Sequence, residues 1–366
     1  MKTSSRRLAI IAFLQIYLAR ESRAFSPSIV PATTRKHLEL QSWAFARTRL
    51  PTKHFAHSSR ELGKLKATSA DLEETTRLQR WKLYAEMCRP SNLLPSFIFV
   101  VGGAFSCTRD ASSIFNPMVL LSALATMIIT STSMVSNDYF DHQKGTDILD
   151  NGNVLARAEL TPKQAKDFVS KFYSALLILI CFAPTSAIRV LLMSGSISTF
   201  LYTRHFKPVT WLKNVSVAFI CALAPAVGGM SAVAASGGGP LEAFLLPESK
   251  CAGLTISLFL GIMHRELLMD VVDTSADAAS GVKTVPVKYG ERFGAKSAVL
   301  FAALMGVVCV TSGSRPLVGA LGSLCMTLRA AAATRALNKE SGGQEKCNKA
   351  IAESKLTFPL VLISYL

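Results

Sequence analysis

Three aspartates lie close together in the segment NDYFDHQKGTD, residues 137–147. They are Asp138, Asp141 and Asp147, and they directly follow LLSALATMIITSTSMVS, a run apolar enough to lie in a membrane. Carboxylates gathered at a membrane boundary can bind a divalent cation, and that cation can hold a phosphorylated substrate. The segment therefore predicts a binding site where a helix leaves the bilayer.

A second acidic segment, RELLMDVVDTSADAASGVKTVPVKYG, begins at Arg265. Asp270, Asp273 and Asp277 stand three and four residues apart, which predicts that their carboxylates share one face of a helix. Like charges so placed are destabilising unless a cation joins them. All-oxygen ligands favour Mg²⁺ or Mn²⁺ over zinc, and Mg²⁺ commonly completes its shell with phosphate oxygens. Two such segments predict a diphosphate held through metal ions.

Basic residues near both segments could contact phosphate oxygens: Lys144, Arg157, Lys207, Arg265 and Lys283. The sequence contains no GxxxxGK[ST] loop, so phosphate recognition is expected through metal ions and basic side chains. The adjacent Arg265 and Glu266 lie near a membrane boundary, where they could form a structural ion pair or act in catalysis. One acidic segment alone could merely solvate a loop end, whereas two with intervening bases favour a site.

The composition is that of an integral membrane protein. Half of the 366 residues are hydrophobic, 17% are charged, and the mean hydropathy is +0.33. Residues 1–70 contain 13 Lys and Arg against three Glu, so they carry +10 of the formal net charge of +16. The remaining chain has no basic, aromatic-interleaved patch of the kind that nucleic acid requires. The sequence therefore argues against a nucleic-acid partner.

Eight apolar segments are predicted to be membrane helices, which makes the fold class all-α. They cover residues 92–107, 118–136, 169–186, 188–203, 213–235, 252–269, 294–312 and 316–334. A ninth apolar segment starts at Leu356 and has only 11 residues. As a helix it would span ~16 Å of a ~30 Å hydrocarbon core, so either it ends inside the bundle or the sequence is incomplete.

The two acidic segments are predicted to face the same side of the membrane, because four crossings separate them. After residue 70 the chain has 27 Lys and Arg, and only Arg109, Arg189, Lys250 and Arg315 map to the opposite side. Cytoplasmic or stromal loops carry the excess of basic residues in membrane proteins. The acidic segments are therefore expected to face the cytoplasm or stroma.

The N-terminal region is typical of a targeting sequence. Residues 1–24 combine a charged start, an apolar stretch and a small-residue cleavage site before Phe25, which predicts a signal peptide. Residues 25–70 are rich in Ser, Thr, Arg and Lys, which predicts a plastid transit segment, with a disordered secretory tail as the alternative. Residues 71–91 are predicted to form an interfacial amphipathic helix, and residues 92–366 the transmembrane domain. That helix would present Leu72, Leu78, Trp81, Leu83 and Met87 on one side.

The acidic segments resemble the motifs of the UbiA-type intramembrane prenyltransferases. That family has an Asn-Asp-x-x-Asp motif after its second helix and an Asp-rich motif after its sixth. The matching residues here are Asn137, Asp138 and Asp141, then Asp270, Asp273 and Asp277. Three further segments are similar to the family in order along the chain: CRPSN with Arg89, Pro90 and Asn92, LYTRHFKPVTWLKN with Tyr202 and Lys207, and GVKTVP with Gly281, Thr284 and Pro286. The resemblance extends from about Arg89 to Thr334.

The resemblance implies a bundle of about eight or nine transmembrane helices around a cavity that opens laterally to lipid. It implies Mg²⁺-dependent transfer of a prenyl group from an isoprenyl diphosphate to a lipophilic or aromatic acceptor. The implied metal ligands are Asp138, Asp141, Asp270 and Asp273, positioned in part by Asn137. Asp147 and Asp277 are expected to hold metal, orient a base or assist acceptor deprotonation. The implied diphosphate contacts are Arg89, Asn92, Arg157, Tyr202, Lys207 and Lys283.

The motifs differ from the common family pattern in ways that bear on the acceptor. Gly145 stands where many members have a further Asp, and the acid falls at Asp147, as in the branch that prenylates dihydroxynaphthoate. The second motif is instead similar to members that use homogentisate, chlorophyllide or glycerol-phosphate-type acceptors. We expect an aromatic acceptor of plastid quinone or tocopherol synthesis, in the inner envelope or thylakoid membrane. The alternatives are chlorophyllide prenylation and a cation transporter or lipid-binding scaffold.

Overall fold

The computed structural model describes residues 77–144, 154–246, 249–337 and 343–366. Within these residues the chain is helical and has no strand, which confirms the predicted all-α class. Leu78–Leu366 forms one compact unit. The predicted targeting segments 1–24 and 25–70, the residues 71–76 and Asp147 lie outside the described residues.

Thirteen α-helices occur in the described part of the chain, together with a 3₁₀ turn, Ala111–Phe115, and a π-helical turn, Tyr202–Phe206. In order they are α1 Arg77–Met87, α2 Pro90–Thr108, α3 Pro117–Lys144, α4 Pro162–Cys181, α5 Ser186–Leu201, α6 Thr210–Ala235, α7 Glu242–Leu245, α8 Cys251–Val272, α9 Thr274–Ala279, α10 Val285–Tyr289, α11 Glu291–Ser312, α12 Pro316–Ala336 and α13 Gly343–Tyr365. By length and composition six of them could cross a membrane, namely α2, α3, α6, α8, α11 and α12, and α5 is a shorter apolar helix.

Two predicted segments have different bounds from the helices to which they belong. The segment 169–186 belongs to α4, which starts at Pro162 and ends at Cys181. Thr161 and Gln164 form a reciprocal capping box there, so polar residues begin the helix before its apolar part. The ninth segment was predicted to have 11 residues, but α13 has 23 and begins at Gly343. Its first half is polar, and hydropathy therefore marked only the second half.

Helix α1 packs against the start of the bundle. Met87 is buried in a cluster with Val135 of α3 and Phe168 of α4, and Tyr84 stacks on Phe168 with ring centroids 4.2 Å apart. Trp81, predicted on the same apolar face, is exposed. The helix ends at Met87, and the chain turns at Arg89 into α2.

Helices α2 and α6 cross in backbone contact. A Cβ atom on Gly103 would lie 2.0 Å from the carbonyl oxygen of Pro225, and one on Gly228 would lie 1.9 Å from that of Val100. Glycine permits such close approach at membrane helix crossings. Because α6 also packs against α3 and α8, this crossing helps to place the helices that carry the acidic motifs.

Replacing Gly228 by Ala is expected to destabilise the fold by more than the ~1–3 kcal/mol of an ordinary overpacked core, since a backbone must move. The measurement is the midpoint of thermal unfolding of the purified protein in detergent. Gly195→Ala is the matched control, because its Cβ would meet the flexible side chain of Leu223 at 3.1 Å. Equal midpoints for the two variants would contradict the importance of this crossing.

Candidate active site

The first acidic motif lies in the last turns of α3 and is neutralised by two basic side chains. Asp138 and Asp141 are both buried. Arg89 donates from Nη2 to Oδ1 of Asp138 at 2.7 Å. Nζ of Lys207 lies 2.5 Å from Oδ2 of Asp141 and 3.5 Å from Oδ1 of Asn137. The predicted residues Asn137, Asp138, Asp141, Arg89 and Lys207 therefore form one cluster.

Local backbone geometry aims both basic residues at α3. Arg89 lies between α1 and α2 with φ at 49°, a left-handed conformation that non-glycine residues rarely adopt, and Pro90 then begins α2. Lys207 follows the π-helical turn, and its backbone N–H donates to the carbonyl oxygen of Tyr202 at 2.7 Å. Such turns are frequent at functional sites.

The second acidic motif surrounds a lysine from α6. Asp270 is fully buried in the last turn of α8, and both its carboxylate oxygens have partners. Nζ of Lys213 lies 2.5 Å from Oδ1, and Nδ2 of Asn214 donates to Oδ2 at 2.9 Å. The same Nζ lies 3.9 Å from Oδ2 of Asp277.

The prediction that one helix carries Asp270, Asp273 and Asp277 is corrected by the structure. Helix α8 ends at Val272, Asp273 stands at the junction, and Asp277 belongs to α9. Asp273 is exposed, whereas Asp270 is buried. The three carboxylates therefore differ in their access to solvent.

Neither Lys213 nor Asn214 was among the residues predicted from the sequence. A signal was present, because an ionisable residue in an apolar membrane helix is costly unless it is paired. Lys213 lies in the first turn of α6 and is 9% exposed. Its partners come from α8 and α9, so the pairing depends on the fold and not on local sequence.

The π-helical turn Tyr202–Phe206 contacts elements of both motifs. It packs against α3, which carries the first motif, and against α6, whose Lys213 pairs with Asp270 of the second. Lys207 follows the same turn and pairs with Asp141. The turn therefore places the first motif and the partner of the second on neighbouring elements.

The other residues predicted to contact the diphosphate or to act in catalysis do not pair with the carboxylates of the two motifs that are described above. Arg157 pairs with Glu86 at 2.7 Å and with Glu159 at 2.8 Å. Nδ2 of Asn92 lies 3.5 Å from the sulfur of Met134, and Lys283 is exposed between α9 and α10. Arg265 and Glu266 form the ion pair that was one of the two predicted alternatives, with Nη1 and Oε1 3.2 Å apart.

The donor set is suited to Mg²⁺. Among the described residues, no group of three or more His, Cys, Asp or Glu side chains forms a metal site by itself. Mg²⁺ nevertheless needs only one or two carboxylates when phosphate oxygens and waters complete its shell. In the described part of the chain, four buried side-chain oxygens have no hydrogen-bond partner, and two of them, Oδ1 of Asn214 and Oδ2 of Asp277, belong to residues beside Asp270 or Lys213. Unpaired buried oxygens are costly, and a hydrated cation with its diphosphate would pair them.

The described residues form an all-α bundle in which six helices could cross a membrane, and two acidic motifs lie at helix ends. The chain belongs to the UbiA prenyltransferase family, whose sequence model matches residues 96–353. It is therefore a prenyltransferase, and the predicted family and activity are confirmed.

Curated relatives include two archaeal digeranylgeranylglyceryl phosphate synthases. The enzyme of Methanothermobacter thermautotrophicus is 27% identical over 249 residues, which cover 66% of this chain and 78% of the relative. The enzyme of Natronomonas pharaonis is 27% identical over 247 residues, which cover 67% and 81%.

Solved structures share the fold. A structure of digeranylgeranylglyceryl phosphate synthase in membranes has a TM-score of 0.61 at 18% identity and covers 78% of this chain and 97% of its own. A UbiA homologue from Archaeoglobus fulgidus, bound to DMAPP and Mg²⁺, has a TM-score of 0.56 at 18% identity and covers 77% and 97%. At this identity the likeness establishes the fold alone.

Proposed function

We propose that this protein transfers the prenyl group of an isoprenyl diphosphate to an aromatic acceptor, with Mg²⁺ held by Asp138, Asp141, Asp270 and Asp273. The observation that carries the proposal is the pairing of the buried carboxylates Asp138, Asp141 and Asp270, which belong to both acidic motifs, with the basic side chains of Arg89, Lys207 and Lys213. Buried carboxylates require cationic partners. Arg89 and Lys207 can exchange a carboxylate for a phosphate oxygen when metal ions arrive, because both side chains are partly exposed.

Each group of the chain has a definite task in this proposal. Bound Mg²⁺ would neutralise the charge that develops on the departing diphosphate. Lys207 and Arg89 bind the diphosphate oxygens, and Asn137 orients Lys207 through the contact at 3.5 Å. The apolar bundle excludes water from the allylic carbocation until the acceptor captures it. Asp277, and Asp147 outside the described residues, hold metal, orient a base or assist deprotonation of the acceptor.

Four further residues are proposed as outer contacts of the diphosphate: Tyr202, Asn92, Lys283 and Arg157. Tyr202 begins the π-helical turn that packs against α3 and α6, which supports its assignment. Arg157 would have to leave Glu86 or Glu159 to reach a phosphate. Its contribution is therefore expected to be smaller than that of Lys207, which already lies beside Asp141.

The proposed acceptor is the aromatic head group of a plastid quinone or tocopherol. The spacing from Asn137 to Asp147 supports it, since it resembles the branch that prenylates dihydroxynaphthoate. A second candidate is a glyceryl phosphate lipid, because the relatives that match two thirds of the chain are named digeranylgeranylglyceryl phosphate synthases. The proposed location is a plastid membrane with the acidic motifs facing the stroma, supported by the composition of residues 1–70.

Prenyl transfer in liposomes decides between these acceptors. Phytyl, geranylgeranyl and solanesyl diphosphates are offered with homogentisate, dihydroxynaphthoate, chlorophyllide or geranylgeranylglyceryl phosphate, in Mg²⁺ or in EDTA. We expect a product with homogentisate or dihydroxynaphthoate that requires Mg²⁺. A product with geranylgeranylglyceryl phosphate alone would establish the second candidate. If the protein binds diphosphate but prenylates neither aromatic acceptor, the proposed acceptor is wrong.

A further inference from the structure

Lys213 is a third basic residue of the site, and its environment differs from that of the other two. Its ammonium lies between two carboxylates of the second motif, 2.5 Å from Asp270 and 3.9 Å from Asp277. Its side chain is 11% exposed, compared with 47% for Arg89 and 23% for Lys207. Lys213 is therefore the buried cation of the site.

Burial determines which ion pairs can open on their own. A partly exposed guanidinium or ammonium that leaves its carboxylate gains water in exchange, so only the buried carboxylate, Asp138 or Asp141, then needs a new cation such as Mg²⁺. A buried ammonium that leaves its carboxylate gains no such compensation, and two uncompensated buried charges remain. Arg89 and Lys207 can therefore release the first motif, whereas Lys213 stays on the second until another anion reaches it.

The surroundings of Asp270 hold this arrangement in place. Oδ1 accepts from Lys213 and Oδ2 accepts from Asn214, so both oxygens already have donors. Oγ1 of Thr274 donates to the backbone oxygen of Asp270 at 3.0 Å, which fixes the junction of α8 and α9. Nearby, within the described residues, Oδ1 of Asn214 has no hydrogen-bond donor although Asn214 is fully buried.

We propose that Lys213 is a resident counter-ion of the second motif, so that this motif takes up Mg²⁺ only together with the diphosphate. The diphosphate supplies the anion to which the Lys213 ammonium then binds. This inference rests on the proposed function and adds an order of binding to it. The first motif accepts metal in the absence of substrate, and the second motif completes its metal site when the diphosphate arrives.

The test counts bound Mn²⁺, a spectroscopic substitute for Mg²⁺, by electron paramagnetic resonance on the full chain in lipid nanodiscs. Without a substrate analogue, the wild-type protein is expected to bind one Mn²⁺ per chain. After addition of a non-reacting geranylgeranyl thiodiphosphate, it is expected to bind at least two. Lys213→Gln is expected to bind two without the analogue and to bind the analogue more weakly. Lys213→Arg keeps the charge and is expected to behave as the wild type.

Two results would overturn the proposal: two Mn²⁺ in the wild type without the analogue, or a single one in Lys213→Gln. No Mn²⁺ in the wild type even with the analogue would instead remove the metal assignment of the proposed function. If Lys213→Gln unfolds without metal, its thermal midpoint is followed as Mn²⁺ is added. A rise larger than in the wild type supports the proposal, because the ion replaces the missing ammonium, and an equal or absent rise contradicts it.

Discussion

Asp138→Asn is expected to reduce the rate of prenyl transfer by about 10³-fold or more while the protein stays folded. The substitution keeps the size of the side chain but removes the charge that would hold Mg²⁺ on the first motif. Its partner Arg89 is partly exposed, so the loss of the ion pair should cost at most ~1 kcal/mol of stability. Turnover in liposomes and the midpoint of thermal unfolding are measured on the same preparation.

The matched control for this variant is Asp167→Asn. Asp167 is exposed on α4 and belongs to neither motif. The Asp167→Asn variant should retain wild-type turnover. Wild-type turnover in Asp138→Asn would show that the first motif does not act on the diphosphate.

Asp270→Asn is expected to reduce both activity and stability, with ~3–5 kcal/mol lost from the free energy of unfolding. The larger expected loss of stability, compared with Asp138→Asn, comes from the burial of Lys213, the partner of Asp270. Removing the carboxylate of Asp270 leaves Lys213 charged within the fold, where its remaining acidic neighbour Asp277 is 3.9 Å away. Thermal or denaturant unfolding in detergent compares the two variants directly.

A double variant separates the structural part of this effect from the chemical part. Lys213→Met together with Asp270→Leu replaces the buried ion pair by apolar side chains, which commonly restores stability. We expect most of the stability to recover, less about 1–3 kcal/mol because the buried Nδ2 of Asn214 loses its acceptor, while activity stays lost because the second motif then lacks its charge. Equal stability of Asp270→Asn and Asp138→Asn would contradict the buried character of the Lys213 pair.

The acidic motifs could be predicted from the sequence because each stands where a hydropathic run ends. The predicted runs 118–136 and 252–269 correspond to α3 and α8, and Asp138 and Asp270 follow within two residues of their ends. A charged residue directly after an apolar run can be recognised from neighbouring residues alone, so the sequence was enough to predict both motifs. Lys207, which follows the run that became α5, was predicted as a base near the acidic segments and from the resemblance of its segment to the family.

Lys213 could not be paired with Asp270 in the same way. The two residues are 57 positions apart, and only the packing of α6 against α8 brings them together. Arg89 and Asp138, 49 positions apart, meet for a similar reason. The pairing of charges in this site is therefore a property of helix packing, which hydropathy does not describe.

Helix ends were predicted least well where polar residues begin a helix. The first half of α13 contains Lys346, Lys349 and Glu353, and Glu353 pairs with Arg329 of α12 at 2.6 Å. Polar residues that face a neighbouring helix or the interface do not reduce helix formation, but they lower hydropathy. The break at Asp273 was missed for a different reason, because a spacing of three and four residues is also compatible with two short helices joined at one residue.

Binding of an isoprenyl diphosphate to the full chain in nanodiscs, with Mg²⁺ and with EDTA, tests the central claim most directly. We expect tight binding of geranylgeranyl diphosphate in Mg²⁺, a loss of at least ~10²-fold in EDTA, and a similar loss in Asp138→Asn even when Mg²⁺ is present. Binding of equal strength in Mg²⁺ and EDTA, unaffected by Asp138→Asn, would contradict a diphosphate site built on the two acidic motifs.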